Sequence, residues 1–358
     1  MAFDCYCAIC GVGFAGMCIG DPSDATIEQR GQSVERISRS LNCAEHTESS
    51  AQDEEPIQTY DPRLVDQENV AWTSQVHCLG VQDAAEGKTK AFVSGPGYYA
   101  DAGELAVKIG QPSKRTYFNC YGFGTDEAPG PVLPFHWCCF EILLRTLTRT
   151  TDPKNVNLDA LYDAMISMCN GTGSALRLPY GEDVARAQGQ YWQSLPGAEY
   201  CVRHPTNTPD LEEFLKIQIQ TNSSLRATPT ELDLGNRQPK NPFGTLPPEI
   251  VYQICSFLPG NSMKSLTEAS LYVHLITRDD YFWRSFIQSD MPWLWETQVL
   301  RDSLNFPLDL NYQLLYQFLN ATTAPKYGMH DQALMGIANR RRIWGACEEL
   351  SGRYSEVL

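Results

Sequence analysis

The stretch CYCAICG, residues 5–11, sets Cys7 and Cys10 on a two-residue spacer ahead of a glycine. Such a C-x2-C-G turn aims two sulfurs at one point. Far downstream, PFHWCCFEIL offers His136 and Cys139, again with two residues between them. At a helix start, positions i and i+3 share a face. Two thiolates, an imidazole and a third thiolate make a Cys3His set, the donor chemistry of structural zinc, with four protein ligands and no open position. Roughly 125 residues separate the halves, but loop-closure entropy rises only with the logarithm of length. One ion would then clip the amino terminus onto the middle of the chain. Other readings stay open. Cys43 and His46 form a rival half-site, and Cys5 or Cys138 could serve after a slip in register. All of these thiols could also be reduced and buried as small apolar groups. Cys138 or Cys139 beside His136 makes a poor nucleophile–base pair, because no orienting Asn or Asp accompanies it.

Thirteen cysteines are an odd number, so at least one is free, and a chain of 358 residues is far larger than disulfide-dense secreted modules. Asp4 stands where a signal peptide is basic, and no Lys or Arg precedes Arg30. A reducing compartment, cytoplasm or nucleus, is expected. No apolar run reaches membrane-spanning length, so no membrane is expected as a partner. The net charge of −15 argues against binding a phosphate backbone, so no nucleic acid is expected either.

Along the chain, residues 1–19 are Cys-rich. Residues 20–59 are acidic and read as a largely disordered linker, with a short helix around TIEQRGQSVERISRSL. Residues 60–200 read as an α+β domain. VHCLGV and KAFVSG are expected strands, VLPFHWCCFEILLRTL a helix entered after Pro134, and NLDALYDAMISM another ending near Gly171. Residues 201–241 are rich in Pro, Asn and Thr and read as a linker interrupted by the amphipathic LEEFLKIQI. The fold class expected is α+β: a mixed amino-terminal and middle domain followed by an all-α region, with residues 291–358 a helical extension. GFGTDEAPG, residues 122–130, lacks the Lys-Ser or Lys-Thr of a phosphate loop and reads as a surface loop. The arginines of NRRR, 339–342, read as a solvated helix face answering Glu348 and Glu349.

Residues 242–290 carry the most specific pattern. Pro247 and Pro248 set a helix start, with Glu249 at its positive end. Ile250, Ile254 and Leu258 follow at helical spacing, and Pro259-Gly260 breaks the helix. Ser262 is expected to cap a second helix through Met263, Leu266, Ser270 and Val273, and Asp279 or Asp280 a third carrying Phe282, Trp283 and Phe286. Three short helices in about forty residues cannot cover all their apolar surface. Trp283 is expected inside the module, and the opening residues at an interface.

This stretch resembles the F-box, the module that joins substrate receptors to cullin–RING ubiquitin ligases. The likeness runs over Leu246, Pro247, Glu249, Ile250, Ile254, Leu258, Leu266, Trp283 and Arg284, and departs at SLYVHLITRDD. CYCAICGVGF, YDPRLV, LPFHWCCFEIL and NRRRIWGACEEL extend it to filamentous-fungal F-box proteins with a Cys-rich amino-terminal region. The resemblance implies a non-enzymatic adaptor. Leu246, Pro247, Pro248, Ile250, Ile254, Leu258 and Leu266 would bind a Skp-type adaptor, and the domain at 60–200 would face an unknown protein substrate. A zinc-stabilised interaction module with no ligase role is the alternative, and an enzyme within 60–200 a third possibility.

Overall fold

The computed structural model describes residues 4–42, 58–83, 89–101, 103–109, 115–122, 130–169, 174–226, 242–297 and 310–358. In chain order its elements are α1 (Asp24–Asn42), α2 (Gln67–Val70), β1 (His77–Asp83), β2 (Thr89–Val93), β3 (Tyr98–Asp101), β4 (Glu104–Lys108), β5 (Arg115–Asn119) and β6 (Leu133–Phe135). Helices α3 (Trp137–Thr148), α4 (Leu158–Ser167), α5 (Glu182–Ala187), α6 (Pro209–Thr221), α7 (Pro248–Ser256) and α8 (Gly260–Ala269) follow. The last are α9 (Leu271–Ile276), α10 (Asp280–Asp290), α11 (Tyr312–Thr322) and α12 (Gln332–Val357). The fold class is the expected α+β. The chain divides into two compact units, one of residues 1–208 with 325–358, the other of residues 209–324.

The first unit holds two three-stranded antiparallel sheets, ordered β2-β1-β6 and β3-β4-β5. The expected strands VHCLGV and KAFVSG are β1 and β2, paired so that Leu79 faces Val93. The second sheet was not anticipated. LPF, read as the start of a helix, is instead β6, which pairs with β1 with Phe135 opposite His77. The helix therefore begins two residues later, with His136 at its cap position. Both α3 and α4 pack against α12, whose Tyr354 hydroxyl accepts from the Asn157 backbone N–H at 3.0 Å.

One expected helix is found, and three other sequence expectations are corrected here. The helix expected around TIEQRGQSVERISRSL is present as the 19-residue α1. It is anchored by a buried Arg30, which donates to Thr59 Oγ1 and to the Asp21 carbonyl. Residues 201–208 are not a linker, since the carbonyls of Arg203 and Pro205 accept from Asn339 and Arg340 of α12. The extension at 291–358 is also not one piece, because α11 belongs to the second unit and α12 to the first. Arg340 and Arg342, expected in solvent, are buried. Gly171, and all but the first and last residues of the 122–130 loop, fall outside the described residues.

Among its described residues the second unit has helices and no strands, and LEEFLKIQI lies within α6. Pro247 and Pro248 open α7 as expected. Asp279 caps α10 by accepting from the Phe282 N–H at 2.7 Å. Ser262 caps nothing. Helix α8 starts at Gly260, whose N–H is taken by the Asp290 carboxylate at 3.0 Å. A Cβ there would lie 1.6 Å from the Tyr316 hydroxyl, which explains the glycine. The expected second helix is divided, because the Ser270 hydroxyl accepts from the Val273 N–H and starts α9 afresh. Trp283 is buried among Phe282, Phe286 and Tyr316.

Candidate metal centre and partner surface

Residues 5–14 are all buried, so the amino-terminal segment is part of the core of the first unit. Backbone hydrogen bonds shape the Cys7–Cys10 turn. Gly11 N–H donates to the Cys7 carbonyl at 2.9 Å, Cys7 N–H to the Val12 carbonyl at 2.9 Å, and Ala8 N–H to the Pro134 carbonyl at 2.7 Å. Gly11 has φ +75°, and a Cβ there would come within 2.6 Å of Tyr180. Only glycine takes that conformation without strain. The Ala8–Pro134 hydrogen bond joins the turn to β6, one residue before the strand ends at Phe135. His136 and Cys139 follow directly, at the start of α3.

The two halves meet. Cys7, Cys10, His136 and Cys139 each offer a ligand atom within 4.8 Å of all the others, and all four residues are buried. Cys10 Sγ is 3.5 Å from His136 Nδ1. Metal bonds of ~2.3 Å to sulfur and ~2.0–2.1 Å to nitrogen at a tetrahedral angle put S and N about 3.5 Å apart. His136 Nε2 is 3.0 Å from the Thr73 carbonyl, which can only accept. The proton of the neutral ring therefore sits on Nε2, leaving the Nδ1 lone pair directed at the sulfurs. Phe14 and Trp72 hold the ring in place at centroid distances of 4.6 and 4.7 Å. The Cys10 N–H points at Cys7 Sγ, 3.5 Å away, a donor suited to a thiolate.

Electrostatics make the same point. Burial alone would raise the Cys7 thiol, but hydrogen bonds with Cys10 and Cys139 and the nearby His136 outweigh it and hold Cys7 well below the ordinary thiol value. Burial pushes Cys10 and Cys139 well above it, the hydrogen bond with Cys139 opposing the rise in Cys10 only in part, while the neighbouring thiols add to the rise in Cys139. Three buried thiolates would be costly here without a cation beside them. The cluster could hold a metal ion, and its donors are those named by the sequence.

The alternatives fare unequally. Cys43 and His46 lie outside the described residues. Cys5 is not in the cluster and instead interacts with Cys120. Cys138 is buried beside Cys139 but is not among the converging ligands. Sequence reasoning missed Arg342, whose Nη1 donates to the Cys10 carbonyl at 2.7 Å. The available signal was the surrounding helix, which is apolar on every side.

In the second unit, the residues expected at a partner surface are all at least partly exposed. Pro247 and Pro248 are exposed, while Leu246, Leu258 and Leu266 are half-buried. Ile250 and Ile254 are 43% and 37% exposed, and Phe257 is 78% exposed. The inward face of α7 is a different stripe, Val251 and Cys255. A groove of about 220 Å³ lies between α7 and α10, lined by residues including Tyr252, Ser256, Tyr281 and Phe286. Among the described residues no helix is long and apolar enough to cross a membrane. No protein-family model, curated protein or solved structure matches the chain.

Proposed function

We propose that this chain is a non-enzymatic adaptor that docks on the Skp-type adaptor of a cullin–RING ubiquitin ligase, with the α+β unit facing a protein substrate. The observation that carries this reading is the second apolar face of α7. Val251 and Cys255 already pack inward, yet Ile250, Ile254 and Phe257 present apolar surface outward. An ordinary surface helix keeps one apolar stripe and turns polar residues to water. Two stripes on a nine-residue helix mean that one is kept for a partner. The opening Leu-Pro-x-Glu and the buried Trp283 match the F-box plan. Co-precipitation of the full chain with a recombinant Skp-type adaptor tests the reading, and no capture at micromolar concentration refutes it.

The Cys3His cluster is read as a structural zinc site. Three thiolates and one imidazole suit zinc, and four buried protein ligands leave no position for substrate or water. When bound, the ion supplies a cross-link between the amino-terminal turn and the start of α3. The chain's own residues do the rest: Thr73 fixes the His136 tautomer, and the Cys10 N–H supports the Cys7 sulfur. The cluster also favours the alternative, a zinc-stabilised interaction module with no ligase role, because it lies in the first unit and uses nothing from α7 to α10. Zinc binding without adaptor capture would select that alternative.

A further inference from the structure

We propose that Arg342 is the charge-balancing partner of the metal centre, so that the carboxy-terminal helix completes a site whose four ligands all come from the first 139 residues. The inference rests on the reading of the cluster as a zinc site. A divalent ion held by three thiolates and a neutral imidazole carries one net negative charge. All four ligand residues are buried, so no solvent counter-ion can reach them. A buried charge of this kind is costly unless an opposite charge lies nearby.

Arg342 supplies that charge. It is only 6% exposed, and among the described residues its hydrogen bonds go to neutral acceptors. Nη1 donates to the carbonyls of Cys10 and Tyr180, each at 2.7 Å. Nε and Nη2 donate to Asn339 Oδ1, one turn back on the same helix, at 3.2 and 2.8 Å. One of those carbonyls belongs to a ligand residue, and the guanidinium interacts electrostatically with Cys201, Cys10, Tyr200 and Cys139, of which Cys201 and Tyr200 are kept protonated by burial and lie outside the cluster. Asp183, a buried carboxylate that also feels Arg342, already has closer partners: Arg186 at 3.2 Å and the Tyr200 hydroxyl at 2.9 Å. The polar groups around Arg342 therefore orient the cation, and the charge that answers it is that of the ligated thiolates.

A purely structural arginine would make the same hydrogen bonds, so the test separates charge from donors. Arg342→Lys keeps the charge and Arg342→Gln keeps a donor without it. Zinc affinity of the full chain and both variants is measured by competition with a chromogenic chelator, with folding checked by circular dichroism. The cobalt(II) spectrum shows whether three thiolates still ligate. The Gln chain is expected to bind zinc about 10- to 100-fold more weakly, the usual cost of losing an outer partner. The Lys chain is expected to stay within a few fold of the unaltered chain. Equal losses in both variants, or an unchanged affinity in the Gln chain, overturn the proposal. If the Gln chain does not fold, the Lys chain decides alone, and a loss there beyond tenfold overturns it. An unaltered chain that binds no zinc overturns the underlying metal reading instead, a result visible before any variant is made.

Discussion

Substituting the outward stripe of α7, Ile250→Ala, Ile254→Ala and Phe257→Ala together, should abolish adaptor capture while leaving the fold intact. Fully burying a side chain of this size is worth about 1.5–3 kcal/mol. Docking can bury only what is still exposed, which is 43%, 37% and 78% of these three residues. Scaled by those fractions, the stripe offers about 2–5 kcal/mol, and the alanines keep their Cβ atoms, so about 3 kcal/mol is at stake. That is roughly a 150-fold weakening of the dissociation constant. Because more than half of Ile250 and Ile254 is already covered within the fold, each of these two should also cost about 1 kcal/mol of stability, and Phe257 no more than about 0.5 kcal/mol. The control is Val251→Ala on the inward face, which leaves a cavity and should cost about 1–3 kcal/mol of stability. Titration of labelled full-length chain with recombinant Skp-type adaptor gives the affinity, and urea unfolding gives the stability. The reasoning fails if the triple variant binds undiminished. It also fails if Phe257→Ala alone is destabilised as much as Val251→Ala, since the stripe would then be core.

Trp283→Ala should destabilise the second unit by about 3–5 kcal/mol, because it empties a site walled by Phe282, Phe286 and Tyr316. An unchanged unfolding midpoint would show that the indole contributes no packing. Glu199 gives a pH signature. Its carboxylate accepts from the N–H groups of Asp61 and Gly197, yet burial pushes its pKa up to about 7. A raised carboxyl favours the folded state most when protonated, so this contribution is complete below about pH 4.5 and lost as pH rises through about 7. Relative to Glu199→Gln at fixed zinc, the unaltered chain should lose up to about 3 kcal/mol over that window. A flat difference would show that Glu199 titrates normally.

How much of this could be read from the sequence depended on how local the determinant was. Each half of the metal site is a turn encoded within four residues, so spacing and residue type identified all four ligands. Their convergence could not be deduced the same way, since it depends on β6 ending directly before His136 and on the Ala8–Pro134 hydrogen bond. Pairing with β1 turned LPF into a strand where the apolar run suggested helix. ELAVK and RTYFN, the core of the missed sheet, are short and flanked by polar turns, so each is weak alone. Helix α12 was legible as a helix but not as part of the first unit. Its arginines suggest a solvated face because charge usually seeks water. The contrary signal was present: Leu334, Met335, Ile337, Ala338, Ile343, Trp344, Ala346 and Cys347 cover the helix all round, and such a helix is buried. The Pro-rich segment before α6 was misread for a related reason. Its carbonyls find side-chain donors on α12 instead of backbone partners nearby.

The central claim is that one metal ion joins the amino-terminal turn to the start of α3, and metal content measures it directly. Full-length chain purified without added chelator should carry about one zinc per molecule by elemental mass spectrometry. Cys10→Ser should lose it and expose the amino terminus to proteolysis. Cys5→Ala, which alters a buried thiol outside the cluster, should keep it. Zinc absent from the unaltered chain, or retained in full by Cys10→Ser, would contradict the account.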